Sequence, residues 1–430
     1  MEQTGCHPPN LNPNVNIMMN DELTFGCIGE HLPHSFSREI HEQIGGYAYD
    51  LKELTPEELP AFLAARSFRG INVTIPYKQA VIPFLDGIDE TADAIGAVNT
   101  IVNRNGKLFG YNTDLDGLTR LIRRIGLDPA GKKVLVPGTG GTSRTASFAA
   151  KKMGVRDIIR ISRTGKEGSL TYEDVLRDHT DAEIILNTTP CGMFPEPDAQ
   201  PLPLEPFTRL QGVVDVIYNP LRSRLVLDAR SRGIPADGGL YMLVAQAIRA
   251  SELFLGKEYP EDLTDRIYNR ILRQKENVVL ISMPGSGKSA VGRMLAEKTG
   301  RPLVDTDQLI VEQTGKAITD IFREDGEPAF RDLESRVIRK LAKHGGQIIS
   351  TGGGAVLRSE NVTALRQNGR LFWLDRNPES LLPTDDRPLA DTDAKIKQLY
   401  AKREPVYRAA ADEIIPVTGA PEDTALQIVL

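Results

Sequence analysis

The chain has 430 residues, of which 40% are hydrophobic, and a formal net charge of −6. That much apolar material supports two or three domains with cores of their own, and an acidic balance gives no basis for a nucleic-acid-binding surface. Cys6, Cys27 and Cys191 lack the spacing of metal ligands and imply neither a disulfide scaffold nor a zinc knot. No uninterrupted apolar run is long enough to span a membrane. Residues 1–22, rich in Asn and Pro, lack the charged-then-apolar order of a secretion signal and are expected to form a flexible tail. A soluble cytoplasmic enzyme is the expectation.

Phe25–Gly29 reads as a first strand, followed by a polar loop carrying Ser35 and Ser37 before a helix that starts near Arg38. Two hydroxyls near a helix start can hold a small anion such as a carboxylate, although a capping serine beside a solvated one is equally compatible. Gly70–Lys78 (GINVTIPYK) is expected to be a strand ending at Pro76, with Lys78 just beyond it. Ile95–Thr100 (IGAVNT) and Gly110–Asp114 (GYNTD) add further Asn-Thr groups at the ends of short β segments. Such groups suit a polyhydroxylated substrate. Lys78 can donate a proton to an alkoxide forming from a ketone, while Asp114 can hold that ammonium and accept from substrate hydroxyls.

Lys132–Val136 is a further predicted strand, and Pro137–Arg144 turns the chain into a helix running to about Met153. Gly138 and Gly140 allow the tight turn and close approach to a pyrophosphate, Gly141 keeps the turn small, and Thr139 and Thr142 lie in the same loop. Ser143 stands at the usual third-glycine position. The next strand, Asp157–Ile161, ends at Ser162-Arg163-Thr164, where an NAD-type site would carry an acidic ribose ligand. Arg163 at that place, with Arg144 and Lys166 as neighbours, favours the 2′-phosphate of NADP. Strands at Glu183–Leu186 and Val213–Val216 end in the loops Asn187–Met193 and Tyr218–Pro220, which puts Val216 and Tyr218 at the expected crevice. A helix opens at Gly239 with apolar Leu240, Leu243, Val244 and Ala247; Gln246 on it either faces the substrate or is a buried structural glutamine.

Taken together, residues 23–272 resemble the shikimate dehydrogenase family. The resemblance is carried by His34-Ser35-Phe36-Ser37, Gly70–Lys78, Ile95–Thr100, Gly110–Asp114, Asn187–Met193, Asp215–Pro220 and the run ending near Gln246. It implies that Ser35, Ser37, Thr74, Asn99, Tyr218 and Gln246 bind 3-dehydroshikimate and that Lys78 and Asp114 are the catalytic pair. It also implies an α/β substrate domain over 23–121, completed by 238–272, around a Rossmann-like NADP domain over 122–237. Gly138–Thr142, Arg144, Ser162–Thr164, Lys166, Val216 and Gly239 would line the cofactor. Arg38 and Ser162 depart from the family pattern, which leaves the strictness for NADP open.

After a joint at 273–276, Val278–Ile281 reads as a buried strand, followed by Gly285-Ser286-Gly287-Lys288-Ser289 and Ala290 at the start of a helix with apolar Val291, Met294 and Leu295. Strand, tight loop and helix in that order present backbone N–H groups to a phosphate. Lys288 can reach the β- and γ-phosphates and Ser289 can hold Mg²⁺. Ser282 replaces the first glycine of the generic loop. A brief strand, Pro302–Val304, runs into Asp305-Thr306-Asp307, two carboxylates suited to organising Mg²⁺ and a hydroxyl. Helices follow at Ile318–Arg323 and Glu327–Arg339, and strands at Gln347–Ser350 and Leu371–Leu374. Gly352, Gly353 and Gly354 let backbone approach a ligand. Arg331 and Arg403 are candidates for a bidentate clamp on a carboxylate, and Arg387 for a phosphate contact from a closing lid.

This region, 277–430, resembles shikimate kinase through Gly285–Ser289, Asp305–Asp307, Phe330–Glu334, Gly352–Gly354, Arg387-Pro388-Leu389, and Arg403 with Tyr407. The resemblance implies a P-loop kinase using ATP and Mg²⁺. Asp307 would meet the substrate hydroxyls, Asp305 would help the metal, and Arg331, Arg403 and the glycines would hold shikimate. Ser282 and the acidic lid (Asp385-Asp386) suggest weaker ATP affinity. The expected activity is NADPH-dependent reduction of 3-dehydroshikimate followed by phosphorylation of the product. Three alternatives stay open: a dehydrogenase that also accepts quinate, a working dehydrogenase with a weakened kinase, and a non-catalytic nucleotide-binding scaffold.

Overall fold

The computed structural model describes residues 24–32, 35–166, 168–381 and 393–429. The tail at 1–22, His34, and Arg387 with its lid lie outside the described residues. Three sheets carry the architecture, a mixed α/β arrangement with a Rossmann-like centre and a P-loop-type carboxyl part.

The first sheet has six strands, β1 (Phe25–Gly29), β2 (Asp50–Glu53), β3 (Gly70–Val73), β4 (Gly87–Ile88), β5 (Thr100–Arg104) and β6 (Lys107–Tyr111), in the order β2-β1-β3-β5-β6-β4. β1 pairs in parallel with β2 and β3, whereas β3, β5 and β6 form antiparallel pairs. Helices α1 (Ser37–Ile44), α2 (Leu59–Ala65) and α3 (Glu90–Ile95) flank it. β3 ends at Val73, not at Pro76 as the sequence suggested. The chain turns there, with the Tyr77 N–H donating to the Thr74 carbonyl, and Ile75 stands 67% exposed. Proline has no N–H for a ladder, so an extended run into it cannot stay in the sheet interior.

The second sheet is wholly parallel: β7 (Lys133–Pro137), β8 (Asp157–Ile161), β9 (Ile184–Asn187), β10 (Gly212–Asp215) and β11 (Ala236–Asp237), ordered β11-β10-β9-β7-β8. The inner strands β7, β9 and β10 are mostly apolar and buried along their length because both faces are covered. Val134, Val136, Ile184, Leu186 and Val214 enter one core, and Leu135, Ile161, Ile185 and Val213 the other. Around it run α4 (Asp114–Arg124), α5 (Gly141–Lys152), α6 (Tyr172–Asp178), α7 (Arg224–Ser231), α8 (Leu240–Leu255) and α9 (Leu263–Lys275). One continuous core takes side chains from α4, α5, α8 and α9 together.

The third sheet is also parallel: β12 (Asn277–Ile281), β13 (Leu303–Asp305), β14 (Ile348–Ser350), β15 (Gly369–Asp375) and β16 (Glu413–Pro416), ordered β13-β14-β12-β15-β16. The same alternation recurs, with Val279, Ile281, Leu371 and Trp373 on one face and Leu280, Ile348, Phe372 and Leu374 on the other. Its helices are α10 (Lys288–Thr299), α11 (Thr306–Thr314), α12 (Ile318–Glu324), α13 (Gly326–Leu341), α14 (Ser359–Asn368), α15 (Asp393–Ala410) and α16 (Pro421–Val429). Strand and helix ends differ from the sequence-based expectation by a few residues, where fraying and capping decide the boundary.

Helices α4 and α8 cross closely because Gly117 presents no side chain there: a Cβ would lie 2.5 Å from the Met242 carbonyl oxygen. Gly117→Val should therefore cost roughly 2–3 kcal/mol by overpacking, read as a lower urea midpoint. An unchanged midpoint would contradict so tight a crossing.

Candidate active sites

The first site lies where the first and second sheets face each other. Lys78 follows the turn after β3, and Asp114 is the first residue of α4, where the helix dipole favours a carboxylate. Lys78 Nζ pairs with Asp114 Oδ2 at 2.6 Å, with side chains only 14% and 8% exposed. Asn99, immediately before β5, donates from Nδ2 to Asp114 Oδ1 at 2.9 Å and to Thr113 Oγ1 at 3.0 Å. Asn99 Oδ1 accepts from the Thr113 N–H at 2.7 Å. Gln246 is buried on α8: its Oε1 lies 3.4 Å from Asn99 Nδ2 and from Thr113 Oγ1, and its Nε2 donates to the Leu243 carbonyl. Gln246 is thus both buried and part of the polar cluster. Thr74 is half-buried against Gly29.

Ser35 and Ser37 sit at the opening of α1, where Ser35 Oγ accepts from the Ser37 N–H at 3.3 Å. Tyr218 comes to them from the second sheet. Its ring lies 5.3 Å from that of Phe36, and burial pushes its phenol up to about 12 against the opposing hydrogen bond with Ser35.

Across the cleft, Lys78 Nζ also reaches Thr142 Oγ1 at 3.4 Å, so the glycine loop after β7 is already beside the ion pair. Gly138, at φ 119°, has no room for a Cβ against Thr188, and the Thr188 hydroxyl donates to the Pro137 carbonyl at 2.6 Å. A Cβ on Gly140 would meet only open space, and the first turn of α5 has no side-chain cap, an arrangement that fits a pyrophosphate. Thr139 belongs to the same turn. Ser143 is buried and donates to the Gly138 carbonyl at 2.7 Å, which explains a serine where the usual pattern has glycine.

Ser162 is engaged within its own loop, pairing with Ser169 Oγ and accepting from the Gly165 N–H. Arg163, Thr164 and Lys166 are exposed beside it. Arg144 lies against Gly96, with Nη1 3.6 Å from where a Cβ would be. Gly239 packs directly on the Val216 carbonyl and leaves no space for a side chain.

In the carboxyl part, the phosphate loop leaves β12, the central strand. Gly285 and Gly287 adopt φ of 76° and 93°, and α10 begins at Lys288 without a side-chain cap. Ser286 Oγ is buried without a hydrogen-bond partner, and with the uncapped N–H groups of α10 it fits a bound polyphosphate. Lys288 Nζ donates to the Ser282 and Met283 carbonyls at 3.1 Å, stowed on the loop's own backbone. Ser289 is exposed and Ala290 half-exposed on the first turn. The Ser282 hydroxyl is buried and donates to the Leu374 carbonyl on β15 at 2.8 Å.

Asp305 caps α11, its Oδ1 accepting from the N–H groups of Asp307 and Gln308. Asp307, Glu334 and Gly352 converge: a Cβ on Gly352 would lie 2.6 Å from Asp307 Oδ1 and from Glu334 Oε1. Arg331 is buried against Gly354 and pairs with Glu334 at 2.8 Å and Glu327 at 3.0 Å. Arg403 donates to the Gly353 carbonyl at 2.9 Å, so both arginines meet at the triple glycine. Among the described residues, no group of three or more His, Cys, Asp or Glu side chains could hold a metal ion, and Ser289 and Asp305 remain the candidates for Mg²⁺.

Comparison with known proteins accounts for this pairing of sites. A shikimate dehydrogenase (NADP(+)) from Moorella thermoacetica is 38% identical over 269 residues, which are 56% of this chain and 90% of that protein. The chain belongs to the shikimate dehydrogenase family. The model of the shikimate dehydrogenase substrate binding domain matches residues 27–101, and that of shikimate kinase matches residues 284–430. A shikimate dehydrogenase fused to a shikimate kinase domain is therefore what the two parts form. Shikimate dehydrogenase 1 from Peptoclostridium difficile is 33% identical with a TM-score of 0.55, over 58% of this chain and 97% of that one. Shikimate 5-dehydrogenase from Thermus thermophilus, solved with NADP(H) and shikimate, is 31% identical with a TM-score of 0.52, over 58% and 99%. No described helix is long and apolar enough to cross a membrane.

Sequence reasoning passed over several residues that the fold brings in. Glu334 was quoted only within a motif, yet it is fully buried beside Arg331, and burial pushes its carboxyl up while Arg331 pulls it down. Tyr407 was given no role, yet its hydroxyl meets the carbonyls of Ser282 and Gly353, tying the phosphate loop to the triple glycine. Arg376, just after β15, has Nη1 3.7 Å from where a Cβ on Gly287 would be. Asp215 is wholly buried at the end of β10, where it accepts from Asn187 Nδ2 at 3.0 Å, the Ile217 N–H at 3.1 Å and Ser223 Oγ at 2.5 Å. Asp215, Glu334 and Tyr407 lay inside the motifs that carry the family resemblances, whereas Arg376 had no signal of its own in the sequence.

Burial pushes the Asp215 carboxyl up to about 7, outweighing its three hydrogen bonds. The raised folded-state value has a definite sign. Between the unfolded value and about 7 the folded chain holds a proton that the unfolded chain has lost, so this group's contribution is complete below about pH 4 and declines as pH rises. The stability difference between the unsubstituted chain and Asp215→Asn should shrink by roughly 3–4 kcal/mol from pH 4 to pH 7 and level off above. Urea titrations at each pH check this; a difference that stays flat would show that Asp215 ionises normally.

Proposed function

We propose that the chain catalyses two consecutive steps on one cyclic hydroxy acid, NADPH-dependent reduction of 3-dehydroshikimate to shikimate and ATP-dependent phosphorylation of shikimate. The observation that carries the reading is the buried Lys78–Asp114 pair facing the glycine loop after β7, on a chain that also carries a phosphate loop. The proposed division is a substrate part over 23–121 completed by 238–272, an NADP part over 122–237, a joint at 273–276 and the kinase over 277–430.

NADPH supplies the hydride, and ATP with Mg²⁺ supplies the phosphoryl group and offsets its charge. The chain's own residues do the rest. Ser35, Ser37 and Tyr218 form a hydroxyl-lined corner suited to the substrate carboxylate. Thr74, Asn99, Asp114 and Gln246 offer hydrogen bonds to ring hydroxyls. Lys78 Nζ, held by Asp114, gives its proton to the oxygen of the ketone as that carbon is reduced. In the kinase, Asp307 orients the hydroxyl that attacks, Arg331 and Arg403 beside Gly352–Gly354 take the carboxylate, and Lys288 moves from its carbonyl partners to the transferring phosphate. Ser289 and Asp305 would hold the metal. The placement of Ser282 supports an intact kinase loop over a weakened one.

The test is a coupled assay of the intact chain with dehydroshikimate, NADPH, ATP and Mg²⁺, each omitted in turn. Lys78→Ala should lower ketone reduction by about 10²–10⁴-fold and leave phosphorylation of supplied shikimate within about twofold. Loss of both activities would argue against separate sites. Arg163→Ala should raise the KM for NADPH about tenfold while that for NADH changes little, since only one carries the 2′-phosphate. Equal losses would sink that assignment.

A further inference from the structure

The loop Val216–Ser223, which carries Tyr218 to the substrate corner, is gripped from two sides. On its inner side, Asp215 Oδ1 accepts from the Ile217 N–H near the loop's start and Oδ2 accepts from Ser223 Oγ at its end, at 3.1 and 2.5 Å. Gly238 and Gly239 form its floor: the Gly239 N–H donates to the Ile217 carbonyl at 2.8 Å, and a Cβ on Gly238 would lie 2.7 Å from the Leu221 carbonyl oxygen.

The outer side of the loop is held by the kinase part. The Leu221 N–H donates to Asn368 Oδ1 at 2.8 Å, and the Arg222 N–H to the Gln367 carbonyl at 2.9 Å. Arg222 Nη1 donates to the Arg366 carbonyl at 3.0 Å and the Gly369 carbonyl at 3.1 Å, and Nη2 pairs with Glu276 in the joint. These carbonyls close α14 and open β15, where unpaired acceptors and the negative end of the helix dipole suit a guanidinium. The Arg222 side chain is 17% exposed, so each of its bonds is shielded from water. Asn368 is anchored in turn, with Nδ2 donating to the Ala342 carbonyl at 3.0 Å.

The kinase part also holds the far end of the dehydrogenase. The Gly346 N–H donates to the Lys275 carbonyl at 2.9 Å, and Arg301 donates to the carbonyls of Glu276 and Arg273, closing the last turn of α9. That helix shares a core with α4 and α8, which carry Asp114 and Gln246. Both walls of the first site are therefore braced from the same neighbour.

We propose that Arg222 is a positioning residue for ketone reduction: by docking the loop Val216–Ser223 onto the kinase part, it sets Tyr218 at the corner formed with Ser35. The kinase part then contributes to the first reaction without supplying an atom to it. This inference rests on the dehydrogenase reading above. Because Tyr218 stands at the substrate rather than at the transferred proton, losing the brace weakens substrate binding more than it slows turnover.

The test uses the full chain. Arg222→Ala should raise the KM for 3-dehydroshikimate about five- to twentyfold, with kcat falling less than about threefold and phosphorylation of supplied shikimate within about twofold. Hydrogen exchange in the peptide 213–223 should accelerate in the same variant. Asn368→Ala, which removes the acceptor of the Leu221 N–H from the kinase side, should shift KM in the same direction by about two- to fivefold, and it decides the matter should Arg222→Ala fold poorly. Unchanged KM in these variants, or unchanged exchange across 213–223, overturns the inference. Absence of ketone reduction in the unsubstituted chain, assayed first, would instead overturn the functional reading and the inference with it.

Discussion

The buried ion pair between Lys78 and Asp114 is the constraint around which the first half of the chain is arranged. Removing two charges from water is expensive, and such a pair persists only where geometry is close and the remaining lone pairs are satisfied. Asp114 meets the condition through Lys78 on one oxygen and Asn99 on the other, with the start of α4 behind it. Asn99 is fixed by Thr113, and Gln246 arrives from α8 to share the same cluster. The residues come from four separate stretches of chain, so the pair can form only once the first sheet, α4 and α8 have packed together. The tight crossing of α4 and α8 over Gly117 is part of that cost.

The second site solves a similar problem with backbone. Gly352, Gly353 and Gly354 sit where any side chain would collide with Asp307, Glu334, Pro284 or Arg331. The result is a polar pocket walled by carbonyls, carboxylates and two arginines at once. Tyr407 joins that wall to the phosphate loop through the carbonyls of Gly353 and Ser282. Glu334 holds Arg331 in place but must stay buried to do so, and its raised carboxyl value records what that burial costs.

The two halves are joined by more than a length of chain. Residues 366–369 of the kinase part take up the Leu221-Arg222 segment, while Arg301 and Gly346 close the end of α9. Between α9, which ends at Lys275, and β12, which starts at Asn277, only Glu276 is left. The interlocked carbonyls and guanidinium groups add contacts that fix the two units against each other, next to the loop that carries Tyr218.

Much of this molecule was written locally. The apolar runs of the two parallel sheets, the glycine loops after β7 and β12, and the short Asn-Thr and Gly-rich motifs mark their own elements because strand burial and phosphate approach demand those residue types over a few positions. Lys78, Asp114, Lys288 and Asp307 could be picked out on the same basis. The sequence alone could not reveal which polar groups meet over long separations. Asp215 with Asn187 and Ser223, Glu334 with Arg331, Tyr407 with Ser282 and Gly353, Arg144 turned to Gly96, and Arg222 with the kinase part all depend on packing. Burial and hydrogen-bond partners belong to the packed state, whereas a motif reports only the chemistry of neighbours along the chain.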